Sequence, residues 1–119
     1  MTIENWDQYK ANLWDWAILD GCFGATRIKP TDIDGFVERG GRFLVLETKA
    51  STAEVGQGQE ITFQELVKTG KFTVFVVWGA PGKPERMRII SVWADQTFDA
   101  DVDKLREKTH LWYKYANGN

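Results

Sequence analysis

The stretch Pro30–Ser51, PTDIDGFVERGGRFLVLETKAS, decides how the rest of the chain is read. Gly40-Gly41 is a two-residue connection that tolerates positive φ at both positions, and β-forming residues flank it from Ile33 to Arg39 and from Arg42 to Thr48. The pattern predicts a β-hairpin. Counting outward from the turn pairs Arg39 with Arg42, Glu38 with Phe43, Val37 with Leu44, Phe36 with Val45, Gly35 with Leu46 and Asp34 with Glu47; further out, Asp32 meets Lys49.

Strand side chains alternate between faces, so Asp32, Asp34, Glu47 and Lys49 should emerge together at the open end of the hairpin. Directly opposed Cβ atoms approach to roughly 4.5–5.5 Å, and like charges placed there destabilise a sheet. A divalent cation between Asp34 and Glu47 would turn the repulsion into coordination. Mg²⁺ or Mn²⁺ takes oxygen ligands of this kind and keeps waters for a phosphate substrate. Lys49 would then lie beside an attacking water, where an ammonium orients the nucleophile or stabilises charge developing on phosphorus. Asp32 reads as a salt-bridge partner that holds Lys49, in preference to a metal ligand.

An acid followed by Glu-x-Lys at the end of an apolar strand resembles the signature of the PD-(D/E)XK nuclease superfamily, with Asp34, Glu47, Thr48 and Lys49 as the matching residues. The resemblance runs from about Thr31 to Trp78 and is nearest to small phage-type, VRR-NUC and archaeal Holliday-junction-resolvase-like members. It implies a restriction-endonuclease-like core and a metal-dependent endonuclease using Mg²⁺ or Mn²⁺. It also implies that Asp34, Glu47 and the carbonyl of Thr48 bind the metal, and that Asp34, Glu47, Lys49 and Gln59 form the catalytic set. Gln59 stands where the family places a glutamine on the next helix, with Gln57 and Gln64 close by in sequence. The literal Pro-Asp pair is absent, because Thr31 separates Pro30 from Asp32. The metal role passes to Asp34, which precedes Phe36-Val37, and Asp32 is held in reserve. Related nucleases often lend an acid from the first helix; Glu4, Asp7, Asp15 and Asp20 are all placed for this, although a solvated helix face accounts for each.

The chain has 119 residues, of which 43% are hydrophobic and 27% charged, the make-up of one ordinary soluble domain, expected to span residues 1–119. A formal net charge of −2 argues against coating nucleic acid by charge alone. It leaves a nuclease open, because some of the acidic excess is the candidate metal ligands themselves. The apolar run Phe72–Trp78 is too short to span a bilayer, and MTIENWDQYK lacks the basic and apolar regions of a secretion signal. A cytoplasmic protein, in a host cytoplasm if phage-encoded, is the expectation, and the single Cys22 agrees with it.

In chain order the pattern predicts a helix from Thr2 to about Asp20, with Ile3, Trp6, Leu13, Trp14, Ala17 and Ile18 covering a sheet, then an edge strand near Phe23 and Ile28. After the hairpin come a helix over Gln59–Lys68 with Ile61, Phe63, Leu66 and Val67 inward, and a buried strand over Lys71–Trp78. GAPGKPE (Gly79–Glu85) reads as a loop, Met87–Trp93 as another strand, and a last helix starts at Asp99 or Asp101 and runs to Tyr115, with Val102, Leu105, Leu111 and Trp112 inward. The order is α-β-β-β-α-β-β-α, a mixed sheet flanked by helices.

Other residues carry weaker signals. Trp6, Trp14, Trp78 and Trp93 read as core; Trp112, Tyr113 and Tyr115 beside Lys114 could stack bases or simply dock a helix. Arg27, Lys29, Arg39, Arg42 and Lys71 could form a phosphate-contacting rim around the site, and His110 lacks partners at metal-ligand spacing. The expected activity is hydrolysis of nucleic-acid phosphodiesters, DNA ahead of RNA, by a protein short enough to work as a homodimer. The alternative is a noncatalytic module on the same fold that binds nucleic acid or protein; its discriminator is metal-dependent cleavage.

Overall fold

The computed structural model describes residues 12–118. The chain divides into two compact units, Met1–Pro30 and Thr31–Asn119.

The second unit is an α/β fold on a five-stranded sheet in the order β1-β2-β3-β4-β5, with β1 Gly35–Arg39, β2 Arg42–Lys49, β3 Phe72–Ala80, β4 Lys83–Ile90 and β5 Asp95–Asp99. Helix α1 (Gln57–Lys68) connects the parallel neighbours β2 and β3, and helix α2 (Val102–Ala116) ends the fold; the other strand pairs are antiparallel. The hairpin register is the one counted from the turn, from Arg39↔Arg42 to Gly35↔Leu46. Its turn depends on glycine: Gly40 and Gly41 have φ of 61° and 78°, and a Cβ on Gly40 would sit 2.8 Å from the Ala116 carbonyl oxygen.

Each face of the sheet buries one helix. Phe63 and Val67 of α1, one turn apart, pack on Val45, Val74, Val76, Trp78 and Ile90, while Trp112 and Ala116 of α2 pack on Leu44, Phe75 and Met87. Asp101 caps α2 by accepting from the Lys104 amide at 2.9 Å. Ile61, Val102 and Leu111, expected inward, are exposed, because the buried stripe of α1 runs through Phe63 and Val67 and that of α2 through Leu105, Trp112 and Ala116.

The first 11 residues, with Ile3, Glu4, Trp6 and Asp7 of the expected first helix, lie outside the described residues. In the remainder of the first unit the only helix is a short 3₁₀ turn, Trp16–Leu19, capped by Asp15 and followed by Gly21 at φ 87°. Leu13, Trp14 and Ile18 are exposed, with Trp14 at 72%, so this segment does not bury an apolar stripe. The strand expected near Phe23 and Ile28 is absent. The Thr26 hydroxyl donates to the Phe23 carbonyl and accepts from the Ile28 amide, a local turn that competes with extended pairing.

Two further differences lie in the second unit. The β3–β4 connection is a tight turn, and most of the expected loop Gly79–Glu85 belongs to the flanking strands. The strand read as Met87–Trp93 stops at Ile90, where Ser91 accepts from the amides of Trp93 and Ala94 and turns the chain into β5. Trp93 is therefore 70% exposed on that turn and is not core.

Candidate functional site

The site lies at the carboxyl ends of the parallel pair β2 and β3. Glu47 is held there by burial: it follows the fully buried Val45 on the α1 face, stands opposite Val76 in register, and is itself only 6% exposed. Its Oε2 is buried and has no hydrogen-bond partner. Burial, first, and the charge of Asp34, second, push the Glu47 carboxyl above its ordinary 4.5, while the Gln59 amide and the Lys49 ammonium pull the other way.

Asp34 immediately precedes β1 and is exposed, yet its orientation is fixed. Its Oδ2 accepts from both the backbone N of Thr48 at 2.8 Å and the Thr48 hydroxyl at 3.0 Å. The backbone of Thr48 is thus tied to one acid while its two neighbours, Glu47 and Lys49, point to the opposite face. Lys49 is half-buried; its Nζ donates to Gln59 Oε1 at 2.6 Å and lies 3.9 Å from Glu47 Oε1. Gln59, in the first turn of α1, is thereby the one of the three candidate glutamines that bonds Lys49. Gln64 instead donates to Asp95, the first residue of β5, at 3.4 Å.

Glu47, Lys49 and Gln59 therefore form one cluster, and Asp34 lies close enough for its charge to act on Glu47. Asp32 does not join it: the hairpin ladder stops at Gly35↔Leu46, and Lys49 is held by Gln59 and Glu47 in place of the expected Asp32 ion pair. Asp15 and Asp20 belong to the first unit. Among the described residues no three His, Cys, Asp or Glu side chains come together as a metal-binding group. The donor set the cluster does offer, an orphaned buried carboxylate oxygen beside a second carboxylate, suits a hard cation whose remaining ligands are water, backbone carbonyl or substrate.

Arg39, Arg42 and Lys71, three of the residues expected to form a basic rim, lie away from this cluster. Arg39 donates to Asn117 at 2.6 Å and Arg42 to the Tyr115 carbonyl at 2.9 Å, so both arginines complement the carboxyl end of α2 at the closed end of the hairpin. Lys71, whose carbonyl accepts from Phe43, sits at that same end. Seven residues of extended strand, roughly 23 Å, separate Arg42 from Lys49. Arg27 and Lys29 belong to the first unit.

The cation that does stand on the α1 face near Lys49 is Arg86. Lys49 pairs with Trp78 in register and Trp78 with Arg86, so the three share one face of adjacent strands. The next arginine on that face, Arg88, is neutralised by Asp95 at 2.7 Å and Glu60 at 2.8 Å. The signal for both was present in the alternation of PERMRII, which puts Arg86 and Arg88 on the same side as Ile90.

Comparisons with protein-family models, with curated proteins and with solved structures return no match to this chain. Among the described residues no helix is long and apolar enough to cross a membrane.

Proposed function

We propose that this protein is a metal-dependent nuclease of the PD-(D/E)XK type, hydrolysing phosphodiester bonds of nucleic acid with Mg²⁺ or Mn²⁺. The observation that carries the reading is the Glu47 carboxylate, buried with one oxygen unpartnered beside Asp34 and held within 3.9 Å of an ammonium that Gln59 fixes. Burying a charge without compensation is costly, and a purely structural position would favour Gln or an apolar residue. The location supports the same reading, because open α/β sheets bind ligands outside the carboxyl ends of their parallel strands.

Asp34, Glu47 and the Thr48 carbonyl would hold the cation, which when bound supplies positive charge against the phosphate oxygens. The hydrogen bonds from Thr48 keep the Asp34 carboxylate aimed, and burial keeps Glu47 from rotating to solvent. Lys49, with one proton directed at Gln59, keeps its other two for the attacking water or for the oxygens gaining charge on phosphorus. Gln59 positions Lys49. DNA is the favoured substrate, and a second copy or another protein would widen the grip of so small a domain.

The test is incubation of labelled DNA and RNA with purified protein, with EDTA and with Mg²⁺ or Mn²⁺. Cleavage that needs the metal and collapses in Lys49→Ala supports the reading. Binding without cleavage under any metal condition overturns it in favour of a noncatalytic module.

A further inference from the structure

We propose that Arg86, stacked on Trp78, is a phosphate subsite that grips the nucleic-acid backbone next to the bond being cut; this rests on the nuclease reading above. Three observations converge on it. The guanidinium lies over the Trp78 ring, 4.1 Å from its centroid, and Nη2 donates to the Ser51 carbonyl at 3.4 Å. The platform is rigid, since Trp78 is 5% exposed and its indole N–H donates to the Ala53 carbonyl at 2.8 Å. Finally, among the described residues no carboxylate lies within ion-pair distance of Arg86, although Asp99 faces it in register on β5.

The direction of lean is informative. Arg86 turns away from its acidic cross-strand neighbour and reaches across Trp78 toward the segment that follows Lys49. The register between β3 and β4 shifts between Trp78 and Gly79, immediately beside Arg86, and irregularities of this kind re-aim side chains at functional edges. Two strand spacings place Arg86 roughly 10 Å from Lys49 at the backbone, a span that one nucleotide strand lying across the strand ends can bridge. Stacking fixes the plane of the guanidinium and leaves N–H groups free in a fork that matches two phosphate oxygens. A lysine would keep the charge and lose the fork.

The experiment measures binding of fluorescein-labelled DNA in EDTA across a salt series, for the full-length parent, Arg86→Gln and Arg86→Lys, with thermal melts of each. The expected result is about a tenfold higher Kd for Arg86→Gln, and a salt dependence whose slope falls by about one. Arg86→Lys should regain the slope while the melting temperatures stay together. Unchanged affinity and slope in Arg86→Gln would overturn the subsite and leave the nuclease reading standing. The expected binding change in a protein that never cleaves would keep Arg86 as a backbone-phosphate contact and sink the nuclease reading, together with the place of that contact beside a scissile bond. A parent that binds no DNA removes both.

Discussion

Asp34→Asn removes one of two carboxylates that meet at the open end of the hairpin while conserving shape. The asparagine carbonyl can accept the two bonds now donated by Thr48, at 2.8 and 3.0 Å, and its amide then turns toward Glu47 as a donor. Two unit charges about 4 Å apart interact by about 4 kcal/mol at an effective dielectric of 20. Asp34 is exposed and Lys49 already lies 3.9 Å from Glu47, so solvent and the ammonium take up most of that repulsion. The net relief is about 0–1 kcal/mol. Without metal, Asp34→Asn should melt level with the parent or up to roughly 8 °C higher. With Mn²⁺ at about a hundredfold excess over its Kd, the parent should gain about 2.7 kcal/mol. In a domain of this size that is roughly 10–20 °C. The mutant should lose most of this gain. Thermal melts of both proteins in EDTA and in Mn²⁺ decide it: a mutant clearly less stable in EDTA that still gains as much from Mn²⁺ refutes the paired-carboxylate site.

The raised Glu47 carboxyl has a consequence for pH. Between its ordinary 4.5 and its higher folded value the native state holds a proton that the unfolded chain has released, so metal-free stability declines as pH rises through that window and stays lower above it. Glu47→Gln removes this dependence, and melts in EDTA across the acid range should show the parent losing ground to the mutant as pH rises; the opposite trend contradicts the assignment. Phe63→Ala empties the fully buried contact between α1 and the sheet and should cost about 3–5 kcal/mol, read as a lower urea midpoint. Arg88→Met strips Glu60 and Asp95 of their shared partner. Both acids are partly solvated, so the loss at neutral pH should be about 1–2 kcal/mol, below that of a buried pair. The hydrogen bond from Arg88 holds Asp95 below its ordinary range, so its stabilisation persists above 3.8 and is lost as pH falls through the lowered value; the mutant should lack that acid-side decline.

The hairpin was legible because its register follows from one Gly-Gly turn and because strand alternation then puts Glu47 and Lys49 on one face; the expected Asp34↔Glu47 pairing does not form, since the ladder stops at Gly35↔Leu46 and the bonds from Thr48 set the Asp34 orientation. The β2-α1-β3 crossover was legible for a similar reason, since Phe72–Trp78 is too apolar to be anything but a buried strand. What escaped was set by tertiary partners. β5, DQTFD, has a single apolar residue and forms because Arg88 supplies a partner for Asp95 and because α2 covers Phe98. An edge strand this polar looks like a loop in sequence. Trp93 reads as core by composition, yet the Ser91 turn leaves it on the surface. Arg39 and Arg42 sit beside the acids in sequence, and the length of a strand carries them to the far end of the sheet. Arg86, distant in sequence, is brought near by two strand pairings.

Single-turnover cleavage by the parent and by Glu47→Ala, on the same labelled DNA with saturating Mn²⁺, decides whether Glu47 is catalytic. A metal-dependent nuclease should cut slower by several orders of magnitude as Glu47→Ala, with the fold retained, and show no further multiplicative loss when Lys49→Ala is added, because the residues act as one unit. A Glu47→Ala protein that cuts as fast as the parent would contradict that role.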